Sequence, residues 1–293
     1  MVDYNVRRDT YLKTGLILEG GAMRGIYTTG ILDVLLENNI ELDGAVGVSA
    51  GAAFGCNYKS RQIGRAYRYN LRFCRDRRYC GVYSLITTGD IFGADFCYNQ
   101  IPLKYDVFDF EAYKNNPMEF YIVATDIETG EAVYRRFDDF DDGNFDFLRA
   151  SASMPLVSQI VEIDGKKLLD GGVADSIPIR FFEETGYDRN IVILTRPKSY
   201  RKTENKMMPL VKMMYKKYPK LIEAMENRHR VYNETLDYIA EKEKRGEILV
   251  IRPESDLPIG KIEKNLEKIR ETYIIGRKIA TRRLEEIKAF LEK

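Results

Sequence analysis

The chain of 293 residues has a single histidine, His229, and only four cysteines. With one histidine, any chemistry that needs an imidazole base must run through that residue, or a carboxylate must take its place. Cys56, Cys74, Cys80 and Cys97 form no C-x-x-C pair and fall within one third of the chain, a pattern of reduced thiols rather than of a disulfide framework. An excess of one charge is also missing: 46 Lys and Arg stand against 45 Asp and Glu. Global charge therefore argues for neither nucleic acid nor a strongly acidic partner. No stretch approaches the roughly 18 apolar residues of a membrane span, and the opening MVDYNVRRDTYLK lacks the apolar centre of a signal peptide. There is no fixed-period repeat and no low-complexity tract. These absences predict a cytoplasmic protein that meets lipid, if at all, from the aqueous side, at the inner face of the membrane.

From Thr14 the chain reads strand, turn, helix. TGLILEGG is a short apolar run ending in glycines, and in GIYTTGILDVLLENN the residues Ile26, Gly30, Ile31, Val34 and Leu35 share one helical face until Asn38 and Asn39 end it. LDGAVGVSAG reads as a second short strand, and AAFGCNYKSRQIGRAYRYNLRF as a helix. EFYIVATDIETGEAVYRRF predicts two strands around a Thr129-Gly130 turn, with further strands in KKLLDGGV and RNIVILTRP. The alternation predicts an α/β fold with a mostly parallel central sheet and helices on both faces. Beyond Pro197 the character changes: residues 200–245 and 258–293 are charged and helical in period, separated by the strand-like GEILVIRP. We expect a catalytic portion over residues 1–200 and a mostly helical portion with one strand over 201–293, packed upon it.

The pentapeptide GVSAG, Gly47 to Gly51, falls where the second strand passes into a helix. A serine that attacks an acyl carbon must project from a turn so tight that neighbouring side chains collide, and Gly47 and Gly51 relieve that collision. EGGAMRG, residues 19–25, is also a strand-to-helix turn. Gly20 and Gly21 leave the backbone N–H groups open to an anion and Arg24 adds positive charge, which suits an oxyanion hole or a phosphate cradle. No G-K-[ST] follows and no G-x-G-x-x-G can be written, so the phosphate signature is incomplete. The proton of Ser49 has two candidate acceptors. His229 lies in a polar, charged helical stretch, where a solvent-facing role is the plain reading, although the order Ser49, acid, His229 formally matches a histidine-dependent α/β-hydrolase. Asp170 ends a short apolar strand and is followed by Gly171 and Gly172, so the backbone there can approach another loop closely; its plain reading is an Asp-Gly turn.

Together EGGAMRG, GVSAG and DGG, in that order and spacing, resemble the patatin-like phospholipase family of bacterial type; RASASMP, residues 149–155, looks like the short stretch that these proteins carry before the aspartate. The resemblance covers roughly residues 14–200. It implies a three-layer α/β/α fold and a Ser-Asp dyad that hydrolyses lipid esters without histidine, metal or cofactor. Ser49 would be the nucleophile and Asp170 its partner; Gly20, Gly21 and Ala22, with Arg24 nearby, would form the oxyanion hole. Ala22 stands where a third glycine is usual, and its methyl group restricts the turn. The implied partner is a lipid or acyl-ester substrate, with peripheral membrane contact and no nucleic acid. From a different class, a non-catalytic lipid-binding regulator would keep the same fold.

Three further stretches bear on this expectation. Residues 59–80 carry Lys59 and seven arginines with Asp76 as the only acid, which suits either an anionic lipid surface or a solvated helix face. Residues 205–221 mix four methionines with lysines, as a cap over an acyl chain or as ordinary core packing. DDFDDGN, Asp138 to Asn144, fails as a calcium loop, because Phe140 occupies the third ligand position and Arg149 the twelfth.

Overall fold

The computed structural model describes residues 12–140 and 143–292. The N-terminal stretch read for a signal peptide therefore lies outside the described residues up to position 11, as do Asp141 and Asp142 of the rejected calcium loop. The chain begins with β1 (Lys13–Leu18), α1 (Ile26–Glu37), β2 (Gly44–Val48), α2 (Ala50–Lys59) and α3 (Arg65–Phe73). Next come α4 (Val82–Thr88), a π-helical segment (Phe96–Tyr105) and α5 (Phe110–Asn115). The order continues with β3 (Glu119–Asp126), β4 (Ala132–Arg136), α6 (Asp146–Ala152), β5 (Val161–Ile163), β6 (Lys166–Asp170), α7 (Ile179–Glu184) and β7 (Tyr187–Ile193). It closes with α8 (Met208–Met214), α9 (Pro219–Arg245), β8 (Ile248–Ile251), α10 (Leu266–Arg282) and α11 (Leu284–Glu292).

The sheet runs β5-β6-β3-β2-β1-β7-β8, with β4 on β3. Its centre is parallel; β4 and β6 run antiparallel to β3, and β5 to β6. Strand alternation separates two cores. Leu16, Leu18, Phe120, Ile122, Ile191 and Ile193 face one layer, while Ile17, Val46, Val48, Val192 and Val250 face the other. The first layer holds α1, α2, α3, α10 and α11, and the second holds α7 and α9.

The helix expected through residues 52–73 is two helices. The chain breaks between Ser60 and Gly64, where Arg61 (φ 55°) and Gly64 (φ 73°) take left-handed conformations that no helix continues through. The long helical pattern after residue 200 is likewise interrupted ahead of Pro219, which opens α9 at its first turn, where a missing N–H costs nothing. The C-terminal elements join the sheet and its first layer directly: β8 adds to the sheet beside β7, and α10 crosses α1 at Gly30 and Gly276. A Cβ on Gly276 would lie 2.0 Å from the Tyr27 carbonyl oxygen, so the crossing exists only because the two backbones touch.

Candidate active site

β4 accompanies β3 from Tyr121 to Thr125, so β2 and β6 must share the other edge of β3. They approach it from opposite directions. β2 ends with Val48 opposite Val123, and β6 ends with Asp170 opposite Ala124, one register position further. Two strand ends thus meet head to head, and the residues that follow or close them, Ser49 and Asp170, are brought together by register. The Ser49 hydroxyl lies beside the Asp170 carboxylate and favours its charged form.

Ser49 occupies φ 55°, ψ −122°, a conformation that ordinary L-residues avoid at a cost of about 1–3 kcal/mol. The surroundings enforce it. A Cβ on Gly51 would lie 2.3 Å from the Leu18 carbonyl oxygen, and one on Gly47 would lie 2.6 Å from the backbone of Ala52. The Ser49 N–H donates to Ser151 Oγ at 2.9 Å, and that hydroxyl donates to the Val123 carbonyl at 2.6 Å. The RASASMP stretch therefore braces the turn through Ser151, a role that its position in the sequence did not reveal. Ser153 adds a second brace by accepting the Asp170 N–H on its carbonyl at 2.8 Å.

Asp170 is 6% exposed and accepts the Gly172 N–H at 2.8 Å. Burial pushes its carboxyl above the ordinary carboxylate range, against the opposing effects of Arg228, the Ser49 hydroxyl, the Gly172 amide and Lys261. A carboxylate of raised proton affinity beside a hydroxyl is an arrangement that can accept that hydroxyl's proton. Gly20 lies against the Val48 carbonyl and the Ser49 Cβ. Ala22 adopts φ 49°, the left-handed region that favours glycine, so glycine fits this position freely and alanine holds it under strain. Around it, Glu19 N–H donates to Ile193, Met23 N–H to Lys261 and Arg24 N–H to Gly21; among the described residues the amides of Gly20, Gly21 and Ala22 make no such backbone bond.

Ser49 opens onto a narrow cavity of about 100 Å³. Its walls are mostly apolar, with Phe54, Tyr69, Tyr98, Ile101, Phe108 and Leu148 among them. The π-helical segment supplies Tyr98, Ile101 and Pro102. No sequence signal had marked this segment.

His229 belongs elsewhere. Its Nδ1 faces the Glu226 carbonyl of its own helix at 2.9 Å, and it does not line the cavity. The residue before it, Arg228, is turned towards Asp170, and one helical step of about 100° carries His229 off that face. None of the four methionines of residues 205–221 lines the cavity. Met207, Met213 and Met214 are exposed, whereas Met208 packs beside Val211 and Tyr215. In the basic segment Arg65 is buried, donating to the Asp106 carbonyl and to Asn57; Arg68 pairs with Asp106, and Arg78 with Asp76. Arg65 is thus used inside the fold, while the pairs of Arg68 and Arg78 lie at the surface. Among the described residues no group of three or more His, Cys, Asp or Glu is placed to hold a metal ion, and no helix is long and apolar enough to cross a membrane.

Two residues missed by the sequence reading organise the site's edge. Glu19, 4% exposed, accepts the Thr195 N–H at 2.6 Å, the Thr195 hydroxyl at 3.1 Å and the Tyr232 hydroxyl at 2.5 Å. Arg228 approaches Asp170 from α9. Glu19 opens EGGAMRG without a role read for it there, Arg228 sits in no motif, and only the folding of α9 onto the sheet brings Tyr232 and Arg228 to the turn after β1.

A family model described as Patatin-like phospholipase matches residues 16–182, more than half of the chain and the whole of the Ser49–Asp170 geometry. The chain belongs to the patatin-like phospholipase family. A second model, Domain of unknown function (DUF6363), matches residues 218–292, which span α9 to α11. The uncharacterized protein YjjU of Escherichia coli is 26% identical over 287 residues, covering 90% of this chain and 75% of YjjU. Lysophospholipase nte1 of Aspergillus niger is 28% identical over 187 residues, covering 59% of this chain and 11% of that far longer protein. The crystal structure of VipD from Legionella pneumophila aligns with a TM-score of 0.46 and 12% identity, over 94% of this chain and 67% of VipD. The patatin-like match and the mostly parallel sheet with helices on both faces agree on the α/β class.

Proposed function

We propose that the protein is a serine lipid acyl hydrolase that works through a Ser49–Asp170 dyad without histidine. The observation that carries this reading is a buried carboxylate beside a serine that is held at positive φ on the edge of an apolar cavity. Membership of a phospholipase family, and the lysophospholipase name of the Aspergillus relative, support lipid as the substrate class.

In this mechanism the acyl chain lies in the apolar cavity and its ester carbon faces Ser49 Oγ. As Oγ attacks, Asp170 takes the hydroxyl proton, and the amides of Gly20, Gly21 and Ala22 stabilise the tetrahedral oxyanion, with Arg24 adding positive charge behind them. Collapse breaks the ester bond, and Asp170 returns the proton to the leaving alcohol. Water then loses a proton to Asp170 while attacking the acyl-enzyme, which releases the fatty acid and restores Ser49. The strain at Ser49 keeps its hydroxyl projecting at the helix start, where the first N–H groups favour developing negative charge.

The test is hydrolysis of a lipid panel by wild type, Ser49→Ala and His229→Ala, with products identified by mass. The expected result is loss of activity in Ser49→Ala, with the fold intact by circular dichroism, and retention in His229→Ala. Full esterase activity in Ser49→Ala would remove the proposal.

A further inference from the structure

Outside the apolar cavity, five cations from separate parts of the chain gather around Glu19 and Asp170. Arg24 follows β1, Arg196 and Lys202 follow β7, Arg228 comes from α9, and Lys261 precedes α10. Their convergence is fixed by contacts. Arg228 Nη2 and Asp170 Oδ1 each lie 3.0 Å from the point where a Cβ on Gly172 would stand. Lys202 Nζ sits 4.3 Å from the Tyr232 ring centre, and the Tyr232 hydroxyl binds Glu19. The Lys261 carbonyl accepts the Met23 N–H at 3.2 Å, which pins its segment against the turn that carries Arg24.

These cations are poorly satisfied. The Nε groups of Arg24, Arg196 and Arg228 are buried without a hydrogen-bond partner among the described residues. Arg196 pairs with Asp256 at 2.9 Å, but Arg24, Lys202, Arg228 and Lys261 make no ion pair within 4.0 Å among the described residues. The two nearby acids are already engaged: Glu19 by Thr195 and Tyr232, and Asp170 by the Gly172 amide. Burial comes first among the causes that lower the proton affinity of Arg24, Lys202 and Lys261, and neighbouring cations add to it, leaving Lys202 at about 7. An anion placed among them would fill the open donors and relieve the repulsion. A headgroup ammonium would find no free carboxylate in this cluster.

We infer that Arg24, Lys202, Arg228 and Lys261 form a phosphate subsite beside Ser49, which selects acyl esters whose headgroup ends in a phosphate monoester over neutral and choline-headed esters. None of the four lines the apolar cavity, so acyl chain and headgroup are received by different walls of the site. This deepens the hydrolase reading above and rests on it.

The experiment compares kcat/KM for 1-acylglycerol 3-phosphate, the matching 1-acylglycerol 3-phosphocholine and the matching 1-acylglycerol, in wild type, Lys202→Met and Arg228→Met. The ratio between esters cancels any change in the dyad itself. Wild type is expected to favour the phosphate monoester, and each variant to lower that preference about tenfold or more, as for a lost charge-assisted hydrogen bond. Calorimetric binding of the same phosphate lipid to Ser49→Ala protein reads the subsite independently of turnover and should be weakened by adding Lys202→Met. No preference in wild type, or a preference unchanged in both variants, overturns the subsite. Inorganic phosphate that competes while the three esters are cleaved alike assigns the cluster to free phosphate and overturns the headgroup role. Lipid binding to Ser49→Ala protein with no ester cleaved by wild type overturns the hydrolase reading and leaves the subsite standing.

Discussion

The apolar cavity on one side of Ser49 is lined by residues between Ala22 and Met154, whereas the cations outside it are drawn from positions as far apart as Arg24 and Lys261. The cavity is a product of packing within the sheet and its first helices, reinforced by aromatic pairs such as Phe73–Phe96 and Phe108–Phe145. The cationic side depends on α9 and on the segment that α10 anchors, so it exists only when the C-terminal portion is seated. The two sides should therefore fail under different substitutions, and the proposed Ser49–Asp170 dyad between them should fail first and furthest.

The largest effect is expected at that shared centre. Asp170→Asn should lower kcat by at least ~10⁴-fold on any ester, as removal of a member of an interdependent catalytic set does. The same change should not lower stability at pH 7. The folded state holds the Asp170 proton more tightly than the unfolded chain does, so the charged carboxylate costs stability once pH rises through its folded pKa, and asparagine removes that cost. Thermal unfolding of both proteins at pH 7 and at pH 4 checks the sign, since the difference should shrink as pH falls.

Gly276→Val breaks the comparison from the C-terminal side. With a Cβ 2.0 Å from the Tyr27 carbonyl, α10 cannot seat on α1, and a loss of about 3 kcal/mol or more is expected from overpacking. Denaturant unfolding measures that loss. In protein that still folds, cleavage of phosphate-bearing esters should fall more than cleavage of neutral ones.

A smaller effect links the cations to the base. Arg228 holds the Asp170 pKa down against burial, and Lys261 does so to a lesser degree. The proposed base role of Asp170 requires its ionised form, so kcat on a neutral ester should rise with pH through its pKa. Arg228→Met should move that acid limb to higher pH, and a pH–rate profile measures the displacement. The smallest effect is expected at Ala22, where replacement by glycine relieves φ 49° and should raise stability by no more than about 1 kcal/mol, read as a small rise in Tm with activity kept.

How much of this was legible in the sequence follows from how each part is built. Gly47, Ser49, Gly51 and the Asp170-Gly171-Gly172 turn are short local patterns whose backbone demands are written in glycine, so their positions could be read directly. The register that aligns Val48 with Val123 and Asp170 with Ala124 is tertiary, and no spacing along the chain encodes it. The π-helical wall carries Pro102 and no clear helical stripe, so its part in the cavity was hidden. Arg228 sat beside the histidine that drew attention, in a helix whose charge gave no reason to choose one residue over another. Glu19 was visible only as the residue before two glycines; its three hydrogen bonds come from Thr195 and Tyr232, far along the chain. The break at residues 60–64 was missed because its left-handed turn at Arg61 lies inside an otherwise helical pattern.

The most direct measurement is the rate at which a fluorophosphonate labels the protein, with the modified residue located by mass spectrometry in wild type, His229→Ala and Asp170→Asn. If a buried carboxylate activates this serine, the label resides on Ser49, His229→Ala reacts like wild type, and Asp170→Asn reacts at least about a hundredfold more slowly, in line with the loss of a general base. Equal labelling of Asp170→Asn and wild type, or label found on a residue other than Ser49, would contradict the account.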